Sequence, residues 1–434
     1  MTCSDLPHAN SYYAATARDT DGFPVVEDDI ETDIAVVGGG FSGVATALEL
    51  AERGLKVTLL EANRIGWGAT GRNGGQITGS LSGDASMKKH FARQIGEQAA
   101  EDYIWNLRWR GHEIIKTRVG RYDIECDLRH GHVQTAITTG HIRELEVIQT
   151  ESRHRGMGDD IQMLDKDLTR KLVGSDLYIG GLLNRRNMHV HALDLCVGEA
   201  RAVQNLGGLV FERSQVVAIE HSDSPVLHTD GGTVRAKMAV LAGNAYHRLE
   251  PRHTQGALFP ASLSNCVTEP LPSDLVAEIN PQNYAVYDCR FVLDYFRLTP
   301  DHRLMFGSGT NYTGRADTNV AAAMLPALLT VYPQLKGYEI DYAWSGMDGI
   351  TANRIPQLGR IGSNVFFAQG YSGHGIALSH IMGEVLANAI TDNASEFAMY
   401  ESVSHLKLPM ARSFGSNLQA VGMAYYKFRD RLMG

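Results

Sequence analysis

The residues whose types and spacing best suit chemistry lie in the run Gly38-Gly39-Gly40-Phe41-Ser42-Gly43 and, 18 positions after Gly43, at Glu61. Glycine at 38 permits a tight turn, at 40 lets backbone approach a pyrophosphate, and at 43 lets a helix pack closely on the preceding strand. Phosphate then meets the positive end of that helix. Glu61, at the tip of the next strand, suits hydrogen bonds to ribose hydroxyls, and the lack of an Arg directly at that tip argues against a 2′-phosphate. The chemistry is dinucleotide binding.

Two further stretches narrow the dinucleotide. Gly66-Trp67-Gly68-Ala69-Thr70-Gly71-Arg72-Asn73-Gly74-Gly75-Gln76 opens a segment with glycines at 66, 68, 71, 74, 75, 79 and 83, too dense for a helix or a central strand. Backbone with so little side chain suits close passage past a large planar group. Gly370-Tyr371-Ser372-Gly373-His374-Gly375 follows an apolar strand, Val365-Phe366-Phe367-Ala368, and leads into a helix from Ile376 to about Ile390. Free N–H groups at that helix start favour the negative charge that a reduced flavin carries around N1 and its C2 carbonyl. His374 adds a possible donor, although a histidine between glycines is as often structural.

The elements that must position these residues begin with Ile34-Ala35-Val36-Val37, a helix carrying Val44, Ala45, Leu48, Leu50 and Ala51 up to Gly54, and a strand Lys56-Val57-Thr58-Leu59-Leu60. That is a βαβ unit. Residues 1–29 read as an irregular arm with Tyr12 and Tyr13 as anchors, 88–118 as one or two amphipathic helices, and 284–307 as a β-hairpin turning at Pro300-Asp301. At 434 residues, two domains with a cleft between them are expected. With 44% hydrophobic and 21% charged residues and no apolar span of 18 residues, the composition is that of a soluble enzyme without a membrane crossing. The N-terminus lacks a signal-peptide pattern, so a cytoplasmic location is expected. Cys3, Cys126, Cys196, Cys266 and Cys289 form no CxxC and read as reduced thiols. His189-Val190-His191 lacks a third ligand, so no metal is expected. A net charge of -9 disfavours nucleic acid and anionic membrane as partners.

The segments DIAVVGGGFSGVATALELAERGLKVTLLEA, RIGWGATGRNGGQ, LAGNAY, DGITANRIPQLGR and FFAQGYSGHGIALSH resemble the D-amino-acid oxidase superfamily of FAD-dependent amine oxidoreductases. Within it they resemble the γ-glutamylputrescine oxidoreductase branch, with L-pipecolate oxidase as a close relation, and Ser11 to Ala17 is typical of that branch. The resemblance implies an α/β fold of glycine-oxidase type, with a Rossmann-like FAD-binding domain assembled from discontinuous segments and an α+β substrate domain with a large antiparallel sheet. The expected partition is an arm at 1–29, an FAD domain from 30–87, 186–250 and 341–434, and a substrate domain from 88–185 and 251–340. Noncovalent FAD is expected on Gly38, Gly40, Phe41, Ser42, Gly43, Glu61, Ala62, Arg64, Gly68, Ala69, Thr70, Arg72, Asn73, Gly74, Gln76, Val216, Gly243, Gly370, Tyr371, Gly373, His374, Gly375 and Ile376.

The implied reaction moves a hydride from the amine-bearing carbon to flavin N5, leaving an imine that water converts to aldehyde and ammonia while O2 becomes H2O2. Such a step needs the neutral amine, and hence desolvation or a base. Arg72, His374 and Tyr295 are the catalytic candidates; Asn73, Tyr371, Tyr287 and Arg297 are further ones, and Arg354 is read as structural. The partners are then a small amine and O2. Three departures from relatives bear on this. No Cys lies between Trp344 and Thr351, where some relatives attach FAD covalently. Ala377 replaces a carboxylate-binding Lys of sarcosine-oxidase-like members. Lys336 is the sole Lys between 251 and 350, where those members place an oxygen-activating Lys. L-pipecolate or another amino acid remains an alternative substrate, and a quinone or electron-transfer protein an alternative acceptor.

Overall fold

In the computed structural model, which describes residues 6–290, 292–311, 319–391 and 393–407, the apolar runs sort into two sheets. Ala35–Val37 and Val57–Leu60 are buried on both faces, the pattern of parallel strands covered by other layers. Strands Val365–Gln369, Thr233–Leu241, Ile30–Val37, Val57–Leu60 and Leu209–Phe211 lie side by side in parallel, with Gln357–Ile361 antiparallel at one edge. Val226–His228 and Ala218–Glu220 form a small antiparallel flap on Thr233–Leu241.

Helices Phe41–Glu52, Glu97–Arg121, Ala192–Asn205 and Gly375–Thr391 pack together beside this sheet. Their shared core is mainly apolar and holds an ionic cluster, in which the fully buried Glu199 accepts from Arg118 Nη1 at 3.1 Å and meets His380 Nε2 at 3.0 Å, while Arg118 Nη2 donates to Glu49 at 2.8 Å. Each of the four helices contributes one member. The cluster therefore fixes their mutual placement as well as their contact.

The second sheet runs Ile340–Thr351, Leu258–Thr268, Leu304–Asn311, Tyr295–Leu298, Ala285–Asp288, Arg129–Ala136, Gly180–His189 and Gln76–Ile77, with Ile161–Leu164 beside Gly180–His189. All pairs are antiparallel except Ala285–Asp288 with Arg129–Ala136. Phe296 stacks on Phe306 with centroids 5.8 Å apart, and the helix Val320–Val331 covers that face with Met324 and Leu328.

The stretch 284–307 forms a meander of strands rather than a single hairpin, with the turn after Leu298 closed by Thr299 N–H to Arg303 O. Ile340–Thr351 belongs to the antiparallel sheet, although the expected partition grouped 341–434 with the dinucleotide-binding strands; it pairs with Leu258–Thr268 along nearly its whole length. The arm is not wholly irregular: Ser11 caps a short helix, Tyr12–Thr16. Tyr13 is fully buried, and the Tyr12 hydroxyl donates to Asp301 at 2.7 Å. Cys126, Cys196, Cys266 and Cys289 are free thiols, whereas Cys3 and the end of the last expected segment, 408–434, lie outside the described residues. Among the described residues no helix is long and apolar enough to cross a membrane.

Candidate cofactor and active site

The glycine turn is shaped by contacts that exclude side chains. A Cβ on Gly43 would stand 1.8 Å from Gly38 O, so only glycine lets the helix start this close to the strand. Gly38 has φ +110 and would meet Ala242 backbone at 2.9 Å. Glu61 braces the turn, its carboxylate accepting from Gly39 N at 2.7 Å and Asn63 N at 2.8 Å. Burial raises the Glu61 pKa. Thr70 Oγ1 accepts from Phe41 N at 3.0 Å, whereas the N–H groups of Gly40 and Ser42 have no acceptor among the described residues.

These groups open onto a cavity of about 1210 Å³ that continues past the edge of the parallel sheet to the antiparallel sheet. Of the expected residues, Gly38, Gly40, Phe41, Ser42, Glu61, Ala62, Gly68, Ala69, Thr70, Arg72, Asn73, Gly74, Gln76, Val216, Gly243, Tyr295, Tyr371, Gly373, His374, Gly375 and Ile376 line it. Three do not. Gly43 is consumed by helix packing, Arg64 reaches away to Glu212 at 3.4 Å, and Gly370 packs on Thr351 while its N–H donates to Asn244.

The loop after Gly66 is pinned by side-chain contacts to backbone. Arg72 donates to Trp67 O at 3.0 Å and Ser345 O at 3.2 Å, and its guanidinium lies 4.7 Å from the Trp67 ring centroid. Asn73 donates to Ala69 O and Thr70 O and accepts from Gly75 N, while Gln76 donates to Val286 O and Phe296 O. Tyr295 fills the space left by two glycines, since a Cβ on Gly74 would come within 2.5 Å of its ring and one on Gly307 within 2.0 Å. Arg297 is not a cavity residue. It is 1% exposed and ties the arm to the loop by donating to Tyr13 Oη, Gly74 O and Val190 O.

At the second glycine turn, Gly373 has φ +91 and donates to Asp348 Oδ2 at 2.5 Å; Asp348 Oδ1 accepts from Gly349 N at 2.8 Å. Burial raises the Asp348 pKa to about 6. Tyr371 and Ser42 share a hydrogen bond between hydroxyls and so join the two glycine turns. His374 Nε2 lies 3.4 Å from Ser80 Oγ, and its buried Nδ1 has no partner among the described residues. Burial, then the Arg354 charge, lowers its pKa to about 4, so the ring is neutral near pH 7. The first N–H groups of the helix Gly375–Thr391 also have no acceptor among the described residues. Uncommitted N–H groups at both turns, an unpaired histidine nitrogen and a cavity joining them fit an FAD lying between the turns.

Several cavity residues were not singled out from sequence. Asp348, Asn244 and Tyr246 brace the turns, and Tyr246 Oη accepts from Met347 N at 2.9 Å. Asp348 stands at the head of DGITANRIPQLGR, but nothing local shows that it grips Gly373. Ser80, Gln134 and Arg290 enter only through the packing of the antiparallel sheet. His189 and His191 are structural, contacting Asn283 O and Asp194 N respectively.

The family model of FAD dependent oxidoreductases (DAO) matches residues 33–389. Over 427 residues the chain is 40% identical to the gamma-glutamylputrescine oxidoreductase of Escherichia coli (strain K12), across 98% of this chain and 99% of that one. It is 34% identical to the probable oxidoreductase OrdL of Haemophilus influenzae, across 98% of both. Glycine oxidase from Geobacillus kaustophilus superposes with a TM-score of 0.70 at 23% identity, covering 87% of this chain and 99% of that one. L-proline dehydrogenase from P. horikoshii does so with a TM-score of 0.71 at 20% identity, covering 86% and 97%. These structures show that the fold is of glycine-oxidase type.

Proposed function

This chain belongs to the FAD-dependent oxidoreductase family, and from that premise we propose that it oxidises the amine of a γ-glutamylputrescine-like substrate to an imine, which water converts to aldehyde and ammonia. The observation that carries this is the character of the cavity beside the second glycine turn: Tyr287, Tyr295, Gln134, Ser80 and a neutral His374, with Ala377 where a carboxylate-binding Lys would hold an α-amino acid. FAD, when bound, would supply the two-electron acceptor, with O2 as the terminal oxidant reduced to H2O2.

The chain's own residues do the remainder. The aromatic walls strip water from the amine, which favours its neutral, reactive form. Asp348, with a carboxyl poised at about 6, is the group able to hold the displaced proton, whereas the neutral His374 offers its uncommitted Nδ1 as a hydrogen-bond partner. Arg72 and Tyr295 also line the cavity, held by the contacts described above. The test is turnover of γ-glutamylputrescine by the flavin-loaded protein, with peroxide detection, alongside putrescine, L-pipecolate, sarcosine and glycine. Turnover of L-pipecolate alone would move the chain to the cyclic imino acid branch.

One observation favours a second reading of the acceptor. No Lys is among the described residues that line the cavity, and Lys336 is exposed elsewhere. A dehydrogenase passing electrons to a quinone or electron-transfer protein would need no oxygen-activating cation. Stopped-flow mixing of the reduced protein with O2 separates the two, since negligible reoxidation excludes the oxidase.

A further inference from the structure

A series of polar side chains lines the cavity. His374 Nε2 meets Ser80 Oγ, the Tyr287 hydroxyl donates to Gln134 Oε1 at 3.3 Å, and Gln134 Nε2 donates to Cys289 Sγ at 3.6 Å. The next residue, Arg290, also lines the cavity. Its setting is unusual for a surface cation. The Asp288 carboxylate accepts from Arg290 N, Arg290 Nε and Asp294 N, so the short loop is wound around it. Arg290 Nη2 also bonds both Asp288 and Asp294. The Asp288 and Asp294 side chains are 0% and 4% exposed, the Arg290 side chain 32%.

Nε and Nη2 thus commit one edge of the guanidinium to the loop, and Nη1 has no acceptor among the described residues. Asp288 lines this end of the cavity together with Arg290, but its side chain is 0% exposed and its oxygens are taken up by Arg290 N, Arg290 Nε and Asp294 N. A guanidinium oriented in this way by carboxylates behind it is preorganised for a carboxylate in front of it. We propose that Arg290 anchors a carboxylate at the far end of the substrate, so that this enzyme takes extended amines bearing a carboxylate remote from the reacting C–N bond. This rests on the amine oxidation proposed above and specifies the substrate class for it. A γ-glutamyl amine, with its glutamyl carboxylate at the end opposite the amine, is one member of that class.

The test compares two amides of putrescine that differ in one group, N-glutarylputrescine, which ends in a carboxylate, and N-valerylputrescine, which ends in a methyl. The flavin-loaded wild type is expected to favour the first, and Arg290→Met to raise its KM on the order of 30-fold while kcat and all parameters for the second compound change by less than about threefold. Arg290→Lys, which keeps the charge but not the fork, is expected to fall between and serves as the second variant if the Met form loses its flavin. Equal losses on both compounds mark Arg290 as a loop staple and overturn the proposal, as does a wild type indifferent to the carboxylate. If neither compound is oxidised, the amine reading itself fails. Binding of N-glutarylputrescine, read from the flavin absorbance change, then tests the anchor: weakening in Arg290→Met upholds it and unchanged binding overturns it.

Discussion

Two titrating side chains flank the second glycine turn, and their environments push them in opposite directions. His374, held low by burial and Arg354, carries no charge over the range in which the enzyme would work. Replacing it with Ala is expected to lower kcat/KM roughly 10- to 100-fold, yet to leave the shape of the pH profile above about pH 5 unchanged, because the lost group does not titrate there. A profile that loses a limb near pH 6 to 7 would contradict this. Asp348 is raised from 3.8 to about 6, so the folded state holds its proton more tightly than the unfolded one. Its contribution to stability is therefore fully present below about pH 4 and is lost as pH rises through 6, a change of roughly 3 kcal/mol. Urea unfolding of wild type and Asp348→Asn at pH 4 and 7 checks the sign: the variant should gain on the wild type at the higher pH.

At the scale of elements, the site depends on how closely two helices begin against two strands. Gly43→Ala sets a methyl 1.8 Å from Gly38 O, a clash with backbone that cannot be relieved by a side-chain rotation. The expected outcome is a protein that purifies with little or no flavin, read from the ratio of visible to ultraviolet absorbance. The four helices behind the site are locked by Glu199. Burial pushes its pKa up, but His380 and Arg118 outweigh that and hold the carboxyl below the usual range. The pair is therefore stabilising at neutral pH and that contribution is lost in acid. Glu199→Gln would leave Arg118 and His380 facing a neutral amide in a dry core, with an expected loss of about 3 to 5 kcal/mol by urea unfolding. A loss under 1 kcal/mol would show that the cluster is solvated in practice.

For the molecule as a whole, the cavity has one end in each sheet, so a bound FAD braces the two layers against each other. At FAD concentrations on the order of 100 times Kd, linkage predicts about 2.7 kcal/mol of added stability and a higher Tm than the flavin-free protein. The attachment should be noncovalent. No cysteine lies in the Trp344–Thr351 stretch, and Cys289, the one thiol among the described residues that line the cavity, is pushed up to about 12 by burial and so is not a nucleophilic thiolate. Denaturation should release all yellow colour into the supernatant; colour retained on the precipitated protein would refute this.

What could be read from the order of amino acids was whatever is settled within a few residues. Gly38 to Gly43, an apolar strand before it and Glu61 after it specify a dinucleotide turn because backbone conformation and helix start are local properties. The glycine loop at 66–83 and the turn at 370–375 were legible for the same reason. Tertiary structure alone decided the side-chain pairings across the chain: Ser42 with Tyr371, Asp348 with Gly373, Tyr295 in the gap left by Gly74, and Arg297 drawn inward to Tyr13 instead of facing the cavity. It also moved Ile340–Thr351 into the antiparallel sheet and brought Ser80, Gln134 and Arg290 onto one wall. Those outcomes depend on how two sheets dock, and docking is set by summed packing over residues hundreds of positions apart, which no short-range pattern encodes.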